Sequence, residues 1–327
     1  MGTLHPQMKQ ILELLARRNA GKPPLWKQGV DAARRDMEAT YAELWNDGPA
    51  IASIIDRRID GPGGSISIRQ YSPRVRRPAP CLVFFHGGGF VIGSIHTHDG
   101  LCRRLARYSD IDVISVDYRL APENKFPAGL DDCVASVRWI ASNAAFPGID
   151  SSSLFIGGDS AGANLALSTA ILLRDTGGPS VHGLVLAYGN YDTDLETGSM
   201  EAFGSGDYFL SKRDMEWFQE QYVHDRAEWS NPLVGPLHAN LQGLPPMFLA
   251  GAEFDPLLDS SRRLSERLRK LRIPHQWALW RGVTHGCLNM TSMLEPAKVY
   301  LREIAHWIQR EVQHGNSVAK REPVRSA

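Results

Sequence analysis

Between residues 154 and 167 the chain reads Leu-Phe-Ile-Gly-Gly-Asp-Ser-Ala-Gly-Ala-Asn-Leu-Ala-Leu. An apolar run passes through a glycine-flanked serine straight into an alanine- and leucine-rich run, with no room for a loop. That order suits an extended strand that turns sharply into a helix, although a five-residue match of this kind also arises by chance. Gly158 and Gly162 are the positions where a Cβ would collide with neighbouring chain in such a turn. Ser160 is then thrust out at the carboxyl end of a strand and the amino end of a helix, where the helix dipole favours negative charge. The plainer role for Ser160 is a helix cap. The apolar strand before it and the alanine-rich helix after it favour a nucleophile.

The surrounding chain repeats the strand-then-helix rhythm. Apolar runs at Cys81–Phe85, Val113–Val116, Leu154–Gly157, Leu184–Tyr188 and Met247–Ala250 suit strands buried on both faces. Helical stretches are predicted near 97–108, 129–142, 160–174, 258–271 and 295–312, so the expected fold is α/β with a mainly parallel sheet between helices. Ile51–Ile59 and Ser65–Tyr71 read as a hairpin around Gly61-Pro62-Gly63-Gly64. Residues 190–240, rich in Gly, Asp, Pro and aromatics, contain no strand pattern and read as an inserted lid. The expected divisions are cap helices in 1–47, core in 48–189, an inserted cap in 190–240, core again in 241–314 and a frayed tail in 315–327.

Composition removes several classes of function. Thirty-six basic residues balance thirty-six acidic ones, which gives no electrostatic basis for binding nucleic acid or an anionic membrane. No window approaches the ~18 uninterrupted apolar residues of a membrane span, and the first residues are not expected to form a signal peptide. Cys81, Cys102, Cys133 and Cys287 are far apart and read as reduced, buried thiols of a cytoplasmic protein. The expected partner is a small molecule, with a homodimer left open.

A second motif, His86-Gly87-Gly88-Gly89-Phe90, follows the strand Cys81–Phe85 directly. Three glycines there let backbone N–H groups converge on one point, as the developing oxyanion of acyl transfer requires. His86 reads as a brace for this loop. A phosphate cradle is disfavoured, because neither GxGxxG nor GxxxxGK[ST] is present. A serine nucleophile also needs a base and an orienting carboxylate. His285 lies in a glycine-flanked loop after the strand near Gln276–Trp280, whereas His182, His224, His238, His275, His306 and His314 fall in strands, helices or the insertion. For the acid, Asp255 follows the strand Met247–Ala250, and Pro256 biases it away from helical geometry. Glu253 and Asp259 are its rivals.

The order Ser160, Asp255, His285 is that of α/β-hydrolases. The chain resembles the hormone-sensitive-lipase-like carboxylesterases over roughly residues 80–312. The likeness rests on His86-Gly-Gly-Gly-Phe, Asp117-Tyr-Arg-Leu-Ala-Pro-Glu with Phe126-Pro-Ala, Gly158-Asp-Ser-Ala-Gly, Asp255-Pro-Leu and His285-Gly. It implies an α/β-hydrolase fold with a helical cap and a triad of Ser160, Asp255 and His285. It also implies an oxyanion hole from the N–H groups of Gly88, Gly89 and Ala161, and hydrolysis of short- to medium-chain esters without cofactor or metal. An amidase, lactonase or acyltransferase could use the same triad. A non-catalytic receptor of this fold would lack the histidine. The chain departs from the family at Cys287, where an aromatic is usual, and at Leu258-Asp259, where a charged pair is common. Arg119 and Glu123 are expected to pair with each other and pin a long loop. The Arg74–Arg77 stretch is expected to be a solvated connector.

Overall fold

The computed structural model describes residues 2–45, 47–75, 78–142 and 148–319. Two helices come first, α1 (Pro6–Asn19) and α2 (Val30–Leu44), then the hairpin strands β1 (Ser53–Gly61) and β2 (Gly64–Ser72). The alternating core follows: β3 (Ala79–Phe85), α3 (Asp99–Ser109), β4 (Asp112–Asp117), α4 (Ala128–Ala141), β5 (Ile149–Asp159), α5 (Ala161–Asp175) and β6 (Gly183–Ala187). Then come α6 (Gly198–Phe203), α7 (Lys212–Tyr222), β7 (Met247–Phe254), α8 (Leu258–Lys270), β8 (His275–Thr284) and α9 (Glu295–Ala319). The strands form one sheet in the order β1-β2-β4-β3-β5-β6-β7-β8. The hairpin joins β4 antiparallel, and every pairing from β4 to β8 is parallel.

The continuous apolar runs are explained by burial of both sheet faces. Cys81, Val83 and Phe85 pack with α4, α5 and α8 on one face, while Leu82, Phe84 and Phe155 pack with α3 and α9 on the other. Helix α1 joins the second core through Met8, Ile11 and Leu15, spaced along a single helical stripe. Its entry is fixed by the His5 N–H, which donates to the carbonyl of Gly282 in β8 at 2.8 Å.

Two expectations are revised. Helix α9 continues to Ala319, where fraying from Gly315 was expected; the segment holds no proline, so each added residue extends the hydrogen-bond ladder. Residues 320–327 lie outside the described residues, as do Arg76 and Arg77 of the connector; Arg74 is ion-paired with Asp110. Finally, Arg119 and Glu123 do not pair with each other. Arg119 forks onto Asp132 of α4 at 2.8 Å, and Glu123 accepts from Arg34 of α2 at 2.8 Å. Helix partners with fixed geometry displace the neighbour in sequence.

Candidate active site

Strand register delivers the chemistry to one edge. The last paired residues of β7 and β8 are Phe254 and Thr284, so Asp255 and His285, the next residue of each, stand side by side at the carboxyl end. The Asp255 carboxylate is fully buried and accepts from His285 Nδ1–H at 2.8 Å, and its second oxygen accepts from the Leu257 N–H at 2.8 Å. Two strands away, β5 ends at Asp159, and Ser160 follows at φ 55°, ψ −122°, its N–H donating to the Ala187 carbonyl. That strained backbone is tolerated because the turn leaves no alternative. A Cβ on Gly162 would lie 1.9 Å from the Phe85 carbonyl oxygen. Ser160 Oγ stands 2.8 Å from His285 Nε2. The structure thus brings all three sequence-chosen residues into one hydrogen-bonded row. The rivals are used elsewhere: Glu253 accepts from the Gly282 N–H, and Asp259 from the Ser199 N–H, each at 2.8 Å.

Gly88 and Gly89 adopt φ 120° and 59° in the loop after β3. A Cβ on Gly88 would strike the Ile92 carbonyl, and one on Gly89 the Phe218 ring of α7. Among the described residues, no acceptor is bound by the N–H groups of Gly88, Gly89 or Ala161. All three residues line the same cavity as Ser160 and His285. His86 braces this loop as expected: its Nδ1–H donates to the Gly87 carbonyl at 2.8 Å, while Tyr118 OH donates to the His86 carbonyl at 2.7 Å. Burial, aided by nearby His98, lowers the His86 pKa to about 3, so the ring is neutral.

Sequence reasoning missed a second carboxylate. Asp159, buried behind Ser160, accepts from the Gly87 N–H at 2.9 Å and from Tyr188 OH at 3.3 Å, and lies 3.2 Å from His98 Nε2. Burial alone would raise its pKa, but His98, the Gly87 N–H and His285 outweigh burial and hold it below the usual carboxylate range. The only sequence signal was its place beside the serine. Its partners come from remote loops. Tyr188 in turn presents an edge-to-face contact to the His285 ring, centroids 5.0 Å apart. Burial raises the Cys287 thiol well above its ordinary value, so it packs as a neutral side chain.

A cavity of about 740 Å³ opens onto Ser160. Leu15 of α1, Ala33 and Met37 of α2, Phe209, and Met215 and Phe218 of α7 supply its apolar wall. Of the insertion's aromatics Tyr191, Phe203, Tyr208, Phe209, Trp217 and Phe218, two reach it, Phe209 and Phe218. Tyr191 is buried in the core, and Phe203 and Tyr208 pack against Phe254. Helix α7 is tied down by Phe90 stacking on Tyr222 at 3.8 Å and by Lys125, which donates to the carbonyls of Glu220, Gln221 and Val223. Among the described residues, no three His, Cys, Asp or Glu side chains group as metal ligands would, and no helix is long and apolar enough to cross a membrane.

Known proteins share both sequence and shape with this chain. The sequence model of the α/β-hydrolase fold matches residues 82–289. Carboxylic ester hydrolase LipN of Mycobacterium tuberculosis is 40% identical over 273 residues, covering 80% of this chain and 71% of that protein. A hyperthermophilic esterase from the archaeon Pyrobaculum calidifontis superposes with a TM-score of 0.90 at 36% identity, over 95% of this chain and 99% of its own. An ester hydrolase from the metagenome of Lake Arreo, solved with a derivative of bipyridine phosphonate, superposes with a TM-score of 0.91 at 36% identity, over 95% and 100%. With more than half its length matched by the family model, the chain belongs to the α/β-hydrolase fold family, in its hormone-sensitive-lipase-like branch.

Proposed function

We propose that the protein is a carboxylic ester hydrolase that works through an acyl-enzyme on Ser160. The observation that carries this reading is the unbroken row from Ser160 Oγ through His285 to Asp255, with both hydrogen bonds at 2.8 Å. Ser160 Oγ attacks the ester carbonyl as its proton passes to His285 Nε2. The oxygen that becomes negative is received by the N–H groups of Gly88, Gly89 and Ala161. His285 then gives the proton to the leaving alcohol as the C–O bond breaks. Water repeats the sequence on the acyl-enzyme and restores Ser160. Asp255 keeps the His285 proton on Nδ1 and stabilises the imidazolium that forms in each half-reaction.

The apolar wall from α1, α2 and the insertion supports a role for 1–47 and 190–240 as a cap, and supports neutral, short- to medium-chain esters as substrates. Four buried, unbridged cysteines support a reducing, cytoplasmic setting. Sedimentation would read whether the chain forms a homodimer. The deciding experiment is hydrolysis of p-nitrophenyl acetate and butyrate by purified protein, with Ser160→Ala as control. Turnover should fall about 10³–10⁶-fold in the variant, and an organophosphate should label Ser160. Wild-type turnover by Ser160→Ala, or a label elsewhere, would refute the assignment.

A further inference from the structure

Behind Ser160 sits a carboxylate–imidazole pair that the steps above do not use. We propose that Asp159, held by His98, is a positioning residue that fixes the oxyanion loop relative to the nucleophile turn. This rests on the ester-hydrolase reading and adds to it. Asp159 is the residue before Ser160, and its Oδ1 accepts from the N–H of Gly87, the residue before Gly88. One short side chain therefore spans the two halves of the site, from the serine's neighbour to the oxyanion donors' neighbour. The Gly87 carbonyl is held at the same time by His86 Nδ1–H at 2.8 Å. In a trans peptide the carbonyl and the next N–H point in opposite directions. Anchoring the Gly87 carbonyl thus aims the Gly88 N–H, and anchoring the Gly87 N–H sets where that peptide begins. No slack remains, since a Cβ on Gly87 would lie 2.8 Å from Asp159 Oδ2.

The carboxylate is itself over-determined. His98 Nε2 approaches Oδ1 at 3.2 Å, Tyr188 OH donates to Oδ2 at 3.3 Å, and His98 Nδ1 lies 2.9 Å from Thr97 Oγ1. Burying a charge in the core is costly and serves fold stability poorly compared with apolar packing. Its placement on the line between nucleophile and oxyanion donors accounts for its presence.

The test separates positioning from bulk stability. Asp159→Ala removes the anchor, and Asp159→Asn restores an acceptor for the Gly87 N–H. With p-nitrophenyl acetate, kcat should fall about 10²-fold in Asp159→Ala with KM within about threefold, and Asp159→Asn should recover most of the loss. Two inhibitors supply the readout that a structural role would not move. A trifluoromethyl ketone adds to the serine and places an oxyanion in the hole, whereas the matching methyl ketone binds without one. The Ki of the first should rise by about the factor lost in kcat, and that of the second should stay within about threefold. Should Asp159→Ala not fold by near-ultraviolet circular dichroism, His98→Leu against His98→Gln provides the same comparison. A folded variant that keeps the wild-type ratio of the two Ki values would overturn the inference. So would failure of both Asp159→Ala and His98→Leu to fold, which would make the pair part of the core scaffold. Absence of wild-type ester turnover is a separate result that refutes the ester-hydrolase reading, while the Ki ratio stays readable.

Discussion

Replacing Asp255 by Asn changes one atom and should silence the enzyme. Asp255 Oδ1 accepts from the Leu257 N–H, and Oδ2 accepts from His285 Nδ1–H. An asparagine in this fully buried site can satisfy the Leu257 N–H only with its oxygen, which turns its NH₂ toward His285. His285 Nδ1 must then accept, and the ring's proton moves to Nε2, where it faces Ser160. The base is lost while the packing is preserved. Loss of the correct tautomer costs about 10⁴ in kcat in the serine-protease precedent, or ~5 kcal/mol of barrier, and the same order is expected here. The assay is p-nitrophenyl butyrate hydrolysis, with thermal melting to show that the fold survives. Asp259→Asn and Glu253→Gln serve as controls and should keep activity within about tenfold, because their carboxylates bond backbone N–H groups away from the imidazole. A larger loss from either control than from Asp255→Asn would refute the tautomer argument.

Three further outcomes follow from the geometry. Burial, with His98 nearby, holds the His86 pKa at about 3 in the fold, against about 6.5 for an ordinary imidazole. Below pH 6.5 the unfolded chain therefore takes up a proton that the native ring refuses. Stability should be full above that pH and fall by up to about 1.4 kcal/mol per pH unit as the pH drops toward 3. Chemical denaturation at several pH values would show a flatter profile for His86→Gln, and equal slopes would contradict this. Ala33→Leu, on the cavity wall, should leave p-nitrophenyl acetate turnover near wild type and cut kcat/KM for the octanoate by about tenfold or more; parallel losses on both esters would show that the wall does not set limb length. Gly162→Ala forces a Cβ to within 1.9 Å of the Phe85 carbonyl and should cost about 3 kcal/mol or more in a urea melt; an unchanged midpoint would mean that the turn has slack.

The sequence made some parts of this molecule legible and hid others, for identifiable reasons. Apolar runs, glycine spacing and the strand-then-helix rhythm are local, and they located all the core strands and the three residues of the hydrogen-bonded row. Asp159 stayed hidden because its role lies in contacts with Gly87 and His98, which no spacing relates to it. Arg119 and Glu123 misled for the same reason: each found a helix partner that sequence proximity does not suggest. The aromatic content of 190–240 marked a packed insertion, yet side-chain direction decided that Phe209 and Phe218 face the cavity and Phe203 does not. Helix α1 also does more than the expected cap. Met8 and Ile11 sit in the core beneath β8, so trimming the N-terminus removes scaffold as well as cavity wall.

The register that sets Asp255 beside His285 depends on β8 adding to β7 at the edge of the sheet. In order of synthesis, the serine turn and the glycine loop emerge from the ribosome first, and the histidine last. Under the mechanism proposed above, a chain whose β8 is not yet paired would hold Ser160 without the imidazole that takes its proton. It gains hydrolytic power only when the final strand pairs in frame, because a slip of one residue turns alternate side chains to the opposite face. Under the mechanism proposed above, ester turnover therefore reports that β8 has paired in frame with β7.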